Sequence, residues 1–297
     1  MTKFGKSVVI AVGAIIVLGS LLLVRGDNET LTGSYAELFK SINDTIDWTK
    51  YESNAVDTVK TAIMKQMEAE QITVNDPSDQ ILERTHLMDI DADGIDDIIF
   101  NGFTGSGAES EIILICRRTE RGLQTALKAW GRITGIYRIS PWGPVGFRVF
   151  AYGCCGATDD YVEDYYSSLY CGMIKYQLAS RILIERQTPL PRSFYLKGKP
   201  FQIPRDGGKL RYGPVVDDEV MEDEDHRIAH GNVLVDYSIS AAGIVLGEEV
   251  DSLGMMWEFV LMNSDAKPTW EFYTDHRGGN SEERARIVGW IEAPYLR

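Results

Sequence analysis

The run Asp89-Ile90-Asp91-Ala92-Asp93-Gly94-Ile95-Asp96-Asp97 packs five carboxylates into nine residues. It reads D-x-D-x-D-G-x-x-D, with acids at loop positions 1, 3, 5 and 9 and glycine at position 6. Carboxylates this close repel one another strongly unless a cation lies between them. Hard Ca²⁺ takes about six to eight oxygen ligands at about 2.3–2.6 Å. In a tightly curled loop, Asp89, Asp91 and Asp93 can reach one ion, the Ile95 carbonyl can face it, and Asp97 can close the shell. Gly94 permits the sharp turn because glycine takes a positive φ without steric cost. Calcium is therefore the expected cofactor. The alternative is a solvated acidic turn with no ion. An EF-hand is excluded: its twelfth position needs a bidentate Glu followed by a helix. Here that position is Phe100, inside the strand-like Ile98-Ile99-Phe100.

The elements around the loop must hold it. Residues 27–78 read as a polar helical region. Tyr35 to Ile42 has apolar spacing near 3.6, and a second helix over about 54–70 gathers Val56, Val59, Ile63, Met64 and Met67 on one face. From about residue 79 to 187 the pattern becomes short strands separated by turn residues such as Gly105-Ser106-Gly107 and Pro141-Trp142-Gly143-Pro144. This predicts an antiparallel β meander. The aspartate run, between extended segments, resembles the calcium loops of FG-GAP or VCBS-like repeats over roughly residues 82–116. That resemblance implies a hairpin joining two strands around calcium. The chain carries one copy, whereas such repeats come in series.

A break at Gln187-Thr188-Pro189-Leu190-Pro191 precedes a second β-rich segment, residues 195–297. Its landmarks are Leu210-Arg211-Tyr212-Gly213-Pro214, Trp257-Glu258-Phe259-Val260 and the closing Gly289-Trp290-Ile291 with Tyr295-Leu296. In this order they resemble bacterial SH3-like domains. The resemblance implies a small barrel and a ligand cleft, with Tyr212, Trp257, Trp290 and Tyr295 as candidate ligand-binding aromatics. Trp257 and Trp290 suit the core of a small barrel better than a ligand face. An acidic insertion, Asp217 to Asp225, has seven acids in nine residues. It reads as a solvated loop or a docking point for a basic partner. The expected fold class is mainly β with N-terminal helices, an antiparallel β meander domain followed by a small SH3-like barrel.

The formal net charge is −14, which argues against nucleic acid as a partner and suits a cation or a basic partner. Residues 8–24 form an uncharged apolar stretch behind Lys3 and Lys6. Seventeen residues at about 1.5 Å rise span roughly 25 Å, near the thickness of a hydrocarbon core. Residues 1–26 thus read as a membrane anchor, with a secretory signal as the alternative. Either exports the rest, and the lysines favour the N-terminus inside. The expected localisation is the inner membrane, single pass, with the C-terminal domains in the periplasm or exterior.

Export makes disulfides the expected state of Cys116, Cys154, Cys155 and Cys171, in a pairing the sequence leaves open. Zinc is disfavoured because paired C-x-x-C spacing is absent. The motifs G-x-S-x-G, H-E-x-x-H and S-x-x-K are also absent. A cysteine-type cell-wall peptidase, using Cys154 or Cys155 with His226, His230 or His276, is the minority reading. The expectation is a binding protein for a cell-wall peptide or an envelope protein. An inhibitor or accessory subunit of another exported protein is the alternative.

Overall fold

The apolar residues of the central strands outnumber what one sheet face can cover, and the fold answers by covering both faces. A computed structural model describes residues 34–51, 57–73, 78–103, 111–138, 143–152, 159–170, 173–204, 207–222, 228–266, 268–271 and 285–293. Three helices come first: α1 (Tyr35–Lys40), α2 (Asp57–Ala69) and α3 (Ser78–Glu83). Ser34 caps α1 reciprocally: its Oγ accepts from Glu37 N at 3.4 Å and its N–H donates to Glu37 Oε2 at 3.0 Å.

The first sheet is an antiparallel meander of β1 (Thr85–Met88), β2 (Asp97–Phe103), β3 (Glu111–Thr119) and β4 (Gly122–Trp130), in that order. Its two faces divide with period two. Ile98, Phe100, Ile112, Leu114 and Cys116 meet Val59, Ile63 and Met67 of α2. Ile99, Ile113 and Ile115 face a second sheet. Met64, expected on the buried face of α2, is exposed, because the stripe is narrowed to positions four apart.

That second sheet is the meander β5 (Arg132–Arg138), β6 (Val145–Ala151), β7 (Asp159–Tyr170) and β8 (Met173–Glu185). A single residue turns β4 into β5. Gly131 has φ +108°, and a Cβ there would lie 2.3 Å from the Phe150 carbonyl oxygen, so only glycine fits. Ile133, Val145, Phe147, Val149, Ile174 and Tyr176 then pack on the first sheet.

The remaining strands are β9 (Phe194–Gln202), β10 (Gly208–Arg211), β11 (Val220–Glu222), β12 (Ile228–His230), β13 (Val233–Tyr237), β14 (Ala242–Val250), β15 (Met256–Met262), β16 (Pro268–Glu271) and β17 (Arg286–Glu292). β17 pairs antiparallel with β15 along one edge, and its other edge is shared. Trp290 opposes Arg211 of β10, while Arg286 and Ile287 pair in parallel with Ile182 and Leu183 of β8. All nine C-terminal strands thereby join the second sheet, giving 13 connected strands. The fold is mainly β and almost wholly antiparallel, as the patterning predicts.

The small barrel is a correction: the C-terminal strands do not close, β9, β11 and β16 each keep a single partner, and β17 runs on through Arg286 and Ile287 to β8 of the second sheet. The tryptophans take the core role preferred for them, and their candidacy as ligand-binding aromatics is a second correction. Trp257 and Trp290 are 0% exposed, packed with Phe39, Phe259 and Ile182, and lie in the core rather than on a binding face. Their indole N–H groups are satisfied by Asp251 Oδ2 at 3.0 Å and Pro189 O at 2.9 Å.

The membrane placement is a third correction. No helix among the described residues is long and apolar enough to cross a membrane, which counts against a single-pass inner-membrane chain. The stretch 8–24 itself lies outside the described residues.

Between α1 and α2, Trp48 stacks on His86 of β1, with ring centroids 4.0 Å apart and planes at 8°. His86 is 6% exposed, and burial, then the Arg84 charge, lowers its pKa to about 4. The folded state therefore holds this imidazole neutral. As pH falls below about 6.5 the unfolded chain takes the proton first, so stability is full above 6.5 and is lost progressively down to about 4. The loss amounts to roughly 2–3 kcal/mol. Urea unfolding across this window should show wild type losing that much more than His86→Phe, which keeps an aromatic on Trp48. Parallel pH profiles for the two proteins would disprove the assignment.

Candidate functional site

The loop between β1 and β2 is tied from within by its own aspartates. Asp89 accepts from Asp93 N at 3.2 Å and Gly94 N at 3.0 Å, Asp91 from Asp93 N at 3.2 Å, and Asp93 from Ile95 N at 2.8 Å. Ala92 and Gly94 are left-handed, at φ +62° and +83°. A Cβ at Gly94 would meet nothing, so its backbone angle alone calls for glycine.

The loop is also pinned from outside. Ile90 is fully buried in the core between the sheets, and its carbonyl accepts from Val145 N at 2.8 Å. The Arg138 guanidinium donates to the Asp89 carbonyl, and to Gly143 O at 2.6 Å. Asp97, the first residue of β2, is 1% exposed. Its Oδ2 accepts from Ile90 N at 3.2 Å and its Oδ1 from Arg118 N at 2.7 Å.

This frame brings Asp89, Asp91 and Asp97 together, with one carboxylate oxygen from each all within 4.8 Å of one another. Two oxygens on opposite sides of a Ca²⁺ ion stand about 4.6–5.2 Å apart. Three oxygens at this separation can therefore share one ion. Asp93, expected in the same set, is turned aside, its Oδ2 3.4 Å from Arg117 Nη2. Arg117 Nε lies 2.5 Å from Asp91 Oδ2. Ile95 sits in the loop with its N–H on Asp93 and its side chain half exposed.

Burial makes the negative charge costly here. It pushes Asp97 up to about 6, partly offset by the two backbone N–H bonds and aggravated by Asp91 and Asp93. Asp91 is also raised, by burial first, with Arg117 opposing. Such a site favours a cation that restores the ionised form.

The other expected site residues are dispersed. Tyr212 is half-buried against the C-terminal core, and Tyr295 lies outside the described residues. Cys116 corrects the disulfide expectation. It is an unpaired thiol buried beneath α2, because its position on β3 faces the helices. Cys154, Cys155 and Cys171 lie outside the described residues, as do His226 and His276.

One feature escaped the sequence reading. A groove of about 600 Å³ opens at β10, β13, β16 and the end of β17, lined by Lys209, Arg211, Asp218, Asp236, Tyr237, Thr269 and Glu292 among others. Register puts Lys209 opposite Asp236 and Arg211 opposite Trp290, two residues before Glu292. Across the register shift between Leu210 and Arg211, Lys209, Arg211, Asp236 and Glu292 all reach the groove. The cations are already held. Asp218 Oδ1 lies 2.8 Å from Arg211 Nη2 and 3.1 Å from Lys209 Nζ, and Arg211 also donates to Asp217 O and Asn232 Oδ1, both at 2.9 Å. Among the described residues, the carboxylates of Asp236 and Glu292 make no hydrogen bond or ion pair. The charges at 209, 211, 236 and 292 were visible in sequence, but only strand register reveals that they meet.

Comparison of the chain with protein-family models, with curated proteins and with solved structures finds no match in any of the three, so the resemblances of the hairpin and of the C-terminal segment rest on their own residues.

Proposed function

We propose that this chain is a non-catalytic binding protein whose C-terminal groove takes an amine-bearing peptide and whose β1–β2 hairpin is stiffened by calcium. The observation that carries the first half is the pair of carboxylates, Asp236 and Glu292, that meet no partner among the described residues, in a groove whose two cations are both held by Asp218. An ammonium group is the complement of two such acids, and charge-assisted hydrogen bonds are the strong ones. Cell-wall peptides with a side-chain amine and basic segments of envelope proteins share that chemistry. The net charge of −14 favours approach of such ligands.

Among the described residues, the one cysteine is a poor nucleophile. The Cys116 thiol is pushed up to about 12 by burial and by the Glu70 charge, so it is protonated at neutral pH. Support for calcium is the three-carboxylate geometry and the all-oxygen donor set, which suits a hard cation.

Calorimetric titration of the full chain with calcium should give a dissociation constant of about 10⁻⁴–10⁻³ M, the range of extracellular modules. Asp91→Ala/Asp93→Ala should abolish it. Heat of binding that survives in the double variant would place the ion elsewhere.

For the groove, the probe is a soluble cell-wall stem peptide with a free side-chain amine, set against the same peptide acetylated on that amine, with a lysine-rich peptide as a third arm. Asp236→Asn/Glu292→Gln should weaken amine-dependent binding about tenfold, equivalent to about 1.4 kcal/mol. Preference for the lysine-rich arm would point to a protein partner. Equal binding of the acetylated peptide, or binding indifferent to the double variant, would refute the groove assignment.

A further inference from the structure

The hydroxyl of Tyr176 is an independent sign that the β1–β2 loop takes an occupant. Tyr176 belongs to β8 and is 9% exposed. Its ring lies 5.3 Å from that of Phe147, within the core that also receives Ile90 of the loop. The hydroxyl has no hydrogen-bond partner among the described residues. Buried hydroxyls are normally satisfied, so one left unsatisfied calls for an explanation. The charges that bear on it most are those of Asp97 and then Asp91, two members of the carboxylate triad. The phenol thus shares the core beneath the loop, feels the charges of both acids and bonds to neither.

Arg117 supplies the second half of the argument. The ion pairs that described residues make with the loop carboxylates come from Arg117, at 2.5 Å to Asp91 and 3.4 Å to Asp93. Arg138, although adjacent, spends its guanidinium on backbone carbonyls. Asp91 belongs to the triad, so an ion and the guanidinium compete for it. Asp93 is absent from the triad because it faces Arg117.

We propose that Arg117 is a resident counter-ion which a divalent cation displaces, and that the ion's shell is then completed from the second sheet by the Tyr176 hydroxyl, directly or through one water. Displacement frees Asp93 to turn inward as a fourth carboxylate. The ion joins the hairpin of the first sheet to β8 of the second. Arg117 thereby sets the affinity: occupancy requires enough cation to outcompete a tethered positive charge. This inference rests on the calcium reading above and adds to it the exchange and the ligand from β8.

Calcium titration of the full chain separates the two readings. Removing the competitor with Arg117→Gln should tighten binding about tenfold. Tyr176→Phe deletes only the orphan hydroxyl. Without calcium its melting temperature should equal or exceed that of wild type, while its calcium affinity falls about three- to tenfold. That combination is one a purely structural tyrosine would not give, and it stands even if Arg117→Gln misfolds. Wild-type binding with Arg117→Gln unchanged or weaker would overturn the exchange and leave the calcium site standing. Unchanged affinity in Tyr176→Phe would remove the ligand from β8. Absence of calcium binding in wild type and Arg117→Gln alike would end the calcium reading, and this inference with it.

Discussion

The architecture depends on how one strand edge is shared. β8 ends the second meander and would otherwise present unpaired N–H and C=O groups, the liability of any sheet edge. β17 covers it with Arg286 and Ile287, then leaves it to pair with β10 at Trp290. Through that handover the C-terminal strands continue the second sheet instead of closing on themselves. The same handover explains why β15 and β17 are apolar on successive positions. Trp257, Phe259 and Leu261 face one core, in which α1 places Tyr35, Leu38 and Phe39. Val260 and Ile287 face another, with Leu183, Val235 and Phe201. Phe39 reaches from α1 to stack on Phe194 at 14°, so the N-terminal helix is seated on the C-terminal strands. The break in composition near residue 190 is therefore a change of strand, not a gap in the core.

The hairpin inherits its rigidity from this arrangement. Ile90 is buried between the sheets and bonded to β6, Asp97 is clamped by backbone N–H groups from its own loop and from β3, and Arg138 of β5 holds the Asp89 carbonyl. Three strands from two sheets thus fix a loop of nine residues. Positioning from rigid elements is what a ligand site needs, since carboxylates on a mobile loop would spread apart by mutual repulsion. The partners of the clamp are also those that raise or lower the Asp97 affinity for protons, so shape and charge are set by the same contacts.

Much of this was legible in the residues. The D-x-D-x-D-G spacing located the loop, and the strand-like run after it correctly excluded a helix. Alternation identified the strands of the meander. What stayed hidden depends on register between distant segments. Arg117 reaches Asp93 across 24 positions, and nothing local to the aspartates announces it. Arg211 and Glu292 are 81 positions apart, yet the pairing of β10 with β17 brings them to one groove. The Gly289-Trp290-Ile291 strand was readable, but its parallel partner lay about 100 residues earlier, so a closed barrel was inferred where the sheet continues. The tryptophans could be read as core residues, but sequence does not reveal that β15 and β17 are covered on both faces. Cys116 looked like half of a disulfide because its spacing says nothing about which face of β3 meets the helices.

Two acidic clusters of similar density behave differently here, and burial separates them. Around Asp217 and Asp218 the charge is partly exposed and met by Lys209 and Arg211. Burial alone would raise the Asp218 pKa, but bonds from those two cations outweigh it and the pKa falls. Water and salt screen what remains, and exposed pairs of this kind contribute little to stability. At Asp97 the carboxylate is inside, Arg117 is engaged with Asp91 and Asp93, and the proton is held more tightly than usual. A divalent ion gains more there than at the surface because Coulomb interactions strengthen as water is excluded. Depth and fixed oxygen geometry are thus what would set this loop apart as a cation site. The density of acids, the feature most visible in the sequence, only makes it possible.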